Sequence, residues 1–354
     1  MTMLSPAPRS MGLAVTATVT AVLLLFFIGV LGGTVRSGIT SAGLSTFSLG
    51  TIVAGLVAGT LALMAALSAL RLSLRAAGRT AAGKVLEARA AAAQSRQSAF
   101  VTFGLALAVM VGFALIQLLL MNDGNIQRTF LQWELMQASA WDVAMAFLVN
   151  IKLALISQAI VLAFGLVLAV ARMAPGRAGA PLRVMAVAYI DLMRAVPAII
   201  VLYLIGFGLP LTNLPVISRL SPDWFAVMAL SLTYSAYVAE IYRSGIASIH
   251  PSQWSASRSL GFSYLQTLRY FILPQAIRLV IPPLLSTFIA LQKDTSLVNV
   301  IGTLDAFNQA KFYASSSFNL SSVTVVAILF VVITIPQTRY VDWMLARATK
   351  RMRG

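Results

Sequence analysis

The stretch Ser252–Arg278 (SQWSASRSLGFSYLQTLRYFILPQAIR) decides how the rest of the chain is interpreted. One apolar segment ends before it, at about Ile241, and another begins at about Ile277. The stretch is too polar to span a bilayer. Its larger apolar residues nevertheless recur at roughly helical spacing: Trp254, Leu260, Leu265, Leu268 and Ile272. We therefore expect two short amphipathic helices here rather than an irregular loop.

Two residues should shape these helices. Gly261 is expected to break the run into two helices, because glycine is a poor residue for a helix interior. Pro274 marks the point where the second helix must stop or restart, since proline lacks the backbone N–H that a helix interior needs. Two short helices on one side of a membrane protein form a rigid projection. A soluble partner could push on membrane helices through such a projection.

The composition is that of an integral membrane protein, with 59% hydrophobic and 10% charged residues. Apolar runs long enough to cross a bilayer recur along the whole chain. We predict eight spans, at about 11–32, 49–70, 100–121, 143–171, 184–208, 223–243, 277–297 and 320–337. The predicted fold class is therefore an all-α polytopic membrane protein.

The net charge of +16 invites a nucleic-acid interpretation. However, most Lys and Arg residues lie in alternate connections between spans, which is the positive-inside pattern. This pattern places both termini and the Ser252–Arg278 stretch in the cytoplasm, and it favours lipid over nucleic acid as the surroundings. The absence of cysteine excludes Cys-ligated metal sites, and the single histidine, His250, makes a His-based metal site unexpected.

One segment imitates a nucleotide site. Gly78–Lys84 (GRTAAGK) fits the start of a phosphate loop, but the Ser or Thr required after the lysine is Val85, and no predicted strand precedes it. A solvated basic face is therefore favoured. Because the chain also lacks a Ser/His/Asp set and a paired-carboxylate cleft, we expect no enzymatic activity and no bound cofactor.

The spacing around Gly261 resembles the EAA loop of ABC-importer permeases, which reads E-A-A, a glycine, and I-x-L-P. Here the triplet is Ser255–Ser257 (SAS) and the last block is Phe271–Pro274 (FILP). Together with Ala239–Ile246 (AEIYRSGI) and Lys293–Leu297 (KDTSL), this is similar to the polar amino-acid branch of that family, the histidine, glutamine and glutamate type. The family's usual Glu is replaced by serine in the triplet.

The resemblance covers about 145–339 and implies a type I ABC-importer permease with a core of five helices. Three N-terminal transmembrane helices would then precede this core. The implied domains are an extension at 1–142 with a basic cytoplasmic loop, a permease core at 143–342, and a basic cytoplasmic tail at 343–354. The core would contain a cytoplasmic coupling loop at 245–276.

The resemblance also implies partners in a bacterial cytoplasmic (inner) membrane. A separate ABC ATPase subunit would bind ATP and receive the coupling loop, and an extracellular or periplasmic solute-binding protein would deliver the substrate. A second permease chain would complete the path, as a homodimer or as a heterodimer whose other chain keeps the missing Glu. The residues implied at the ATPase contact are Trp254, Ser255, Ala256, Ser257, Arg258, Gly261, Leu273 and Pro274.

Charged groups within apolar spans are costly unless they are paired or hydrated. Asp191 and Arg194 are three residues apart, as are Glu240 and Arg243, so each pair can meet on one side of a helix. Such pairs fix helix ends beside the coupling loop, or they relay movement from it.

Lys293 and Asp294 are adjacent, so they point to different sides of a helix and each needs another partner or water. An amino acid carries a carboxylate and an ammonium group, and this cluster could meet either. A structural pair between helices is the alternative. The residues expected in the translocation path or gate are Lys293, Asp294, Thr295, Ser296, Arg194 and Glu240.

Two other classes of protein have to be distinguished from a permease. An ion-coupled secondary transporter often has an internal repeat and several intramembrane carboxylates. No repeat relates residues 1–170 to 171–354, and Asp294 is the only acid deep in a predicted span. A membrane enzyme or sensor would need a catalytic cluster or a sizeable soluble domain. The permease is therefore favoured, and the choice among acidic, neutral and basic amino acids stays open.

Overall fold

The structure is a computed structural model that describes residues 9–41, 45–215 and 217–353. All regular secondary structure in these ranges is helical. The helices are α1 Met11–Ser41, α2 Ser45–Ala81, α3 Val85–Phe130, α4 Trp133–Arg172, α5 Ala180–Ala195, α6 Ala198–Tyr203, α7 Leu209–Leu211, α8 Pro222–Ala247, α9 Pro251–Ser259, α10 Tyr264–Thr267, α11 Leu273–Asp294, α12 Ala306–Ser317 and α13 Ser321–Arg353.

Seven helical segments of the described chain are long and apolar enough to cross a membrane. The bent pair Ala180–Ala195 and Ala198–Leu211 makes an eighth candidate. The predictions of an all-α fold and of about eight spans are therefore confirmed.

The chain divides into two compact units, and the boundary falls between Thr129 and Phe130. The sequence placed the end of the N-terminal extension at residue 142, whereas α4, which begins at Trp133, belongs to the second unit. The start of α4 is tied within this unit, because the backbone N–H of Gln132 donates to Ser321 Oγ at 2.8 Å.

The first unit packs α1, α2 and α3 against one another through small side chains. Its fully buried alanines among the described residues are Ala14, Ala17, Ala21, Ala62, Ala66, Ala69, Ala88, Ala92 and Ala99. Small residues let helix backbones approach closely, which is the usual way helices associate in lipid. The Ser95 hydroxyl uses this closeness to donate to the Ala69 carbonyl at 2.8 Å.

The second unit is built around α4, α8 and α11, with Leu153, Leu230 and Leu291 in its core. Glycines permit the close contacts between these helices. A Cβ added at Gly165 of α4 would lie 2.7 Å from a Val238 side-chain atom of α8, and one added at Gly245 of α8 would lie 2.0 Å from the Val280 side chain of α11. Larger residues at these positions would force the helices apart.

The fifth predicted span, 184–208, corresponds to the bent pair and is not one continuous helix. Helix α5 ends at Ala195, α6 begins at Ala198, and the two are bent by 103°. Val196 is extended, with φ −88° and ψ 129°. The ring of Pro197 causes this, because proline disfavours a helical conformation for the residue before it.

Candidate functional site

A cavity of about 590 Å³ lies where the broken helix pair meets α8 and α11. Its lining residues are Arg194, Ala195, Val196, Pro197, Ala198, Thr233, Tyr234, Tyr237, Ser286, Thr287, Ala290 and Asp294. Thr233 and Tyr237 are near the middle of α8, so the cavity is at mid-height of that span. Broken helices at mid-membrane are a common setting for transport sites.

The cavity contains one basic and one acidic side chain, which two tyrosines connect. The Tyr234 hydroxyl donates to Asp294 Oδ2 at 2.8 Å. The Arg194 guanidinium carbon lies 5.8 Å from the centre of the Tyr237 ring, and the two tyrosine rings are 6.0 Å apart. Neither Arg194 nor Asp294 forms an ion pair with any residue that the structure describes. Both charges are therefore available to a ligand.

The remaining polar groups of the cavity are hydroxyls. The Thr233 side chain is 2% exposed, and its oxygen makes no hydrogen bond with a described residue. Ser286 and Thr287 donate to the carbonyls of Pro282 and Pro283, at 3.2 and 3.0 Å. Their oxygens can still accept, since a hydroxyl has two lone pairs.

The structure thus places in one cavity two residues that the sequence analysis assigned to the translocation path or gate, Arg194 and Asp294. Arg194 was expected to pair with Asp191 near the inner membrane edge. That expectation is wrong: the described residues form no Asp191–Arg194 ion pair, and Arg194 instead faces Tyr237. The reason is the break at Pro197, which places the end of α5 beside the middle of α8.

The neighbours of Asp294 lie outside the cavity lining. Lys293 is exposed. Thr295 is fully buried and donates to the Gln292 carbonyl at 2.7 Å. Ser296 donates to the Lys293 carbonyl at 2.9 Å. A role for these three residues in the path or gate stays a prediction.

Thr295 belongs to a buried polar cluster that the sequence analysis missed. Asn150 of α4 donates through Nδ2 to Thr295 Oγ1 at 3.1 Å and to Asp305 Oδ2 at 3.0 Å. Asp305 also caps α12 by accepting the Asn308 N–H at 2.9 Å. Burial raises the pKa of the Asp305 carboxyl, and the hydrogen bond from Asn150 works in the opposite direction. The sequence does contain a signal for this cluster, because Asn150 is an amide side chain within an apolar run.

Glu240 lies in a different environment, outside the lining of the cavity. It pairs with Arg243, whose Nη2 is 3.1 Å from Oε2, as the spacing predicted. It also pairs with Arg172 at the end of α4, which the sequence did not predict. The Glu240 side chain is 17% exposed, so the carboxylate is clamped between two arginines. This clamp joins α4 to α8, while a role of Glu240 in the path stays a prediction.

The coupling loop contains the helix break predicted at Gly261. Gly261 has φ +87°, which favours glycine, and it separates α9 from α10. Helix α10 begins with a capping box in which Ser263 and Gln266 exchange hydrogen bonds. The Trp254 and Tyr264 rings stack at 5.3 Å and hold the two helices together.

The second helix of the loop does not stop at Pro274 but restarts there, which is one of the two expected outcomes, since α11 begins at Leu273. The chain stays helical from Tyr264 to Asp294 because a wide π-type turn at Leu268–Ile272 precedes the proline. The wider turn accommodates a residue that lacks an N–H. In addition, Gln275 Nε2 donates to the Phe271 carbonyl at 2.8 Å. The loop is therefore continuous with a membrane helix.

The apolar residues of the loop, whose spacing predicted two amphipathic helices, divide into a packed set and an exposed set. Trp254 and Leu268 pack partly against the buried Ile272, whereas Leu260 and Leu265 are 74% and 72% exposed. The spacing of apolar residues along a helix is the same whether that helix face packs within the chain or stays exposed.

The motif residues of the loop are mostly accessible. Ser255, Ala256, Arg258 and Pro274 are exposed, and Leu273 is partly buried. Ser257 is 2% exposed and donates within its own helix.

Comparison with known proteins agrees with this geometry. Residues 161–354 match the family described as the binding-protein-dependent transport system inner membrane component. The chain is 37% identical to the probable glutamine ABC transporter permease protein GlnM of Bacillus subtilis strain 168, over 48% of this chain and 77% of the relative. It is 36% identical to the L-cystine transport system permease protein TcyB of the same organism, over 52% of this chain and 76% of the relative.

A solved structure shows the same fold. The crystal structure of an amino acid ABC transporter with histidines matches with a TM-score of 0.54 and 30% identity, over 58% of this chain and 93% of that chain. The predicted type I ABC-importer permease fold is thereby confirmed. The chain belongs to the family of binding-protein-dependent transport system inner membrane components.

Proposed function

We propose that this chain is the permease subunit of an ABC importer for a polar amino acid. It forms the translocation path, and it is driven by ATP hydrolysis on a separate subunit. The observation that carries the proposal is the cavity at mid-height of α8, which holds Arg194 and Asp294 without pairing them. Relatives that share a third or more of their aligned residues are named as glutamine and L-cystine permeases, which supports the amino-acid class.

An amino acid complements this cavity. Its α-carboxylate would pair with the Arg194 guanidinium, which can donate two parallel hydrogen bonds. Its α-ammonium would lie against Asp294, whose carboxylate accepts from Tyr234 and keeps further lone pairs. Two unpaired charges within a membrane span are unfavourable. Binding of a zwitterion removes that cost on both sides at once.

The coupling loop supplies the second half of the mechanism. The exposed Leu260 and Leu265 offer an apolar surface to a groove of the ATPase. Movement of the loop would reach the cavity directly, because its second helix continues into α11, which ends at Asp294. Closure of two ATPases would then rock two permease chains between inward-open and outward-open states.

The remaining assignments follow from this mechanism. Both termini and the coupling loop face the cytoplasm of a bacterial inner membrane. An extracellular or periplasmic binding protein delivers the substrate, ATP is bound on the partner subunit, and the second permease chain is a copy of this chain or a related one.

Reconstitution in proteoliposomes tests the proposal. The chain, its candidate ATPase and its candidate binding protein are combined, and substrate-stimulated ATP hydrolysis and uptake are measured. Gly261→Val should uncouple the system, since a β-branched residue is poorly tolerated at φ +87°. Ser259→Ala, on an exposed position of α9, is the matched control and should keep full activity.

Two outcomes would overturn the proposal. One is full coupled activity in Gly261→Val. The other is solute movement by the purified chain alone along an ion gradient, which would identify an ion-coupled secondary transporter.

A further inference from the structure

The charges in the cavity carry information about the side chain of the substrate. Among the described residues, Arg194 and Asp294 are the only charged side chains that line it. If the proposed function holds, the α-carboxylate and the α-ammonium of the substrate occupy both. No counter-ion then remains for a third charge.

The charged residues near the cavity do not supply this counter-ion. Lys293 is exposed and outside the lining. Glu240 is held by Arg172 and Arg243. A carboxylate or an ammonium group on the substrate side chain would therefore enter the cavity without a counter-ion, and a charge without a counter-ion within a membrane span is disfavoured.

The uncharged part of the lining is nevertheless polar. Thr233 presents a buried hydroxyl that has no described hydrogen-bond partner. Ser286 and Thr287 present oxygens that donate to their own helix and can still accept. A ligand that hydrogen-bonds to these groups satisfies them. An aliphatic side chain would leave the Thr233 hydroxyl unsatisfied, which costs affinity.

We infer that the substrate is an amino acid whose side chain is uncharged and forms hydrogen bonds, such as an amide or a hydroxyl. This inference rests on the proposed function and adds the substrate class to it. Arg194 and Asp294 recognise the backbone groups common to all amino acids, and the hydroxyl wall of Thr233, Ser286 and Thr287 selects the side chain.

A panel of amino acids of matched size tests the inference. The reconstituted complex of permease and ATPase is titrated in nanodiscs, without the binding protein, so that only the cavity selects. Glutamine, glutamate, lysine and methionine are compared by calorimetry. Glutamine should bind about 100-fold more tightly than glutamate or lysine, because of the missing counter-ion. It should bind about 10-fold more tightly than methionine, because of the hydroxyl wall.

The outcomes separate this inference from the proposed function. Glutamate, lysine or methionine binding as tightly as glutamine would overturn the inference and leave an amino-acid permease in place. A complex that binds none of the four would overturn the proposed function together with the inference.

A change of specificity provides a second readout. Thr287→Asp places a carboxylate in the hydroxyl wall, so lysine should gain about 30-fold in affinity relative to glutamine. Thr287→Val, which has nearly the same shape without the hydroxyl, should shift preference toward methionine instead. Ser286→Asp repeats the first test at the neighbouring position if Thr287→Asp does not assemble. An unchanged lysine-to-glutamine ratio in an assembled aspartate variant would contradict the inference.

Discussion

Two groups of charges in the second unit each combine a carboxylate with arginine but differ in how they are paired. Glu240 is held between Arg172 and Arg243, and its side chain is 17% exposed. Arg194 and Asp294 share a cavity of about 590 Å³, yet neither pairs with a described residue. The first group satisfies its own charges, whereas the second leaves them unpaired, and under the proposed function they bind a ligand.

The comparison teaches that pairing, not the presence of charge, separates a structural site from a binding site. A charge kept unpaired in a span lowers stability, so a sequence that retains it needs a compensating use. The clamp at Glu240 needs no ligand, because it joins the end of α4 to the end of α8. The following substitutions test each side of this distinction.

The largest expected effect is on the clamp. Glu240→Gln leaves Arg172 and Arg243 without a counter-ion, and breaking this partly buried pair should cost up to about 3 kcal/mol, the lower end of the range for buried pairs. Thermal unfolding of the purified protein should show a lower Tm, while the Kd for glutamine of the remaining folded protein is unchanged. A Tm equal to that of the wild type would contradict a structural role.

The cluster around Asn150 adds a third kind of charged site to this comparison. Its acid, Asp305, is held by hydrogen bonds rather than by an arginine. Asp305→Asn turns an amide donor toward the Nδ2 donor of Asn150, and should cost about 1–3 kcal/mol in stability. Adding Asn150→Asp restores a donor and an acceptor at this contact and should recover part of the loss. A double variant no more stable than Asp305→Asn would show that this hydrogen bond matters little.

A smaller effect is expected at the ring that faces Arg194. Tyr237→Leu removes the cation–π contact at 5.8 Å, and should weaken glutamine binding about 2–5-fold. Tyr203→Leu is the matched control, because Tyr203 packs on Phe207 and is outside the cavity lining. Equal effects of the two changes on the Kd would argue against a role of Tyr237 in orienting Arg194.

The smallest effect belongs to Asp191, the exposed acid on the same helix as Arg194. It forms no ion pair among the described residues, so Asp191→Asn should change uptake and Tm by no more than about twofold and about 1 °C. A large loss of uptake would mean that Asp191 contributes to the path despite its exposure.

The features predictable from sequence were local ones. Hydropathy predicted the spans, Gly261 predicted the break in the coupling loop, and three-residue spacing predicted the Glu240–Arg243 pair. Each of these depends on residues close together in the chain, so propensity and periodicity are sufficient to detect them.

The missed features depend on contacts between distant residues. Arg194 lies in the same cavity as Asp294 because Pro197 bends the fifth span, and Arg172 reaches Glu240 because α4 packs along α8. Sequence spacing carries no information on such packing. The exposure of Leu260 and Leu265 could not be predicted for a different reason. Apolar residues recur at the same spacing on an exposed helix face as on a buried one.

The most direct test of the unpaired charges matches each one to a group on the ligand. In the reconstituted complex, the wild type should bind glutamine about 100-fold more tightly than glutamine α-amide, which lacks the carboxylate. Arg194→Met should reduce that preference to a few-fold, and Asp294→Asn should reduce the preference for glutamine over N-acetylglutamine in the same way. Preferences that survive both substitutions would contradict the assignment of Arg194 and Asp294 as the substrate-binding charges.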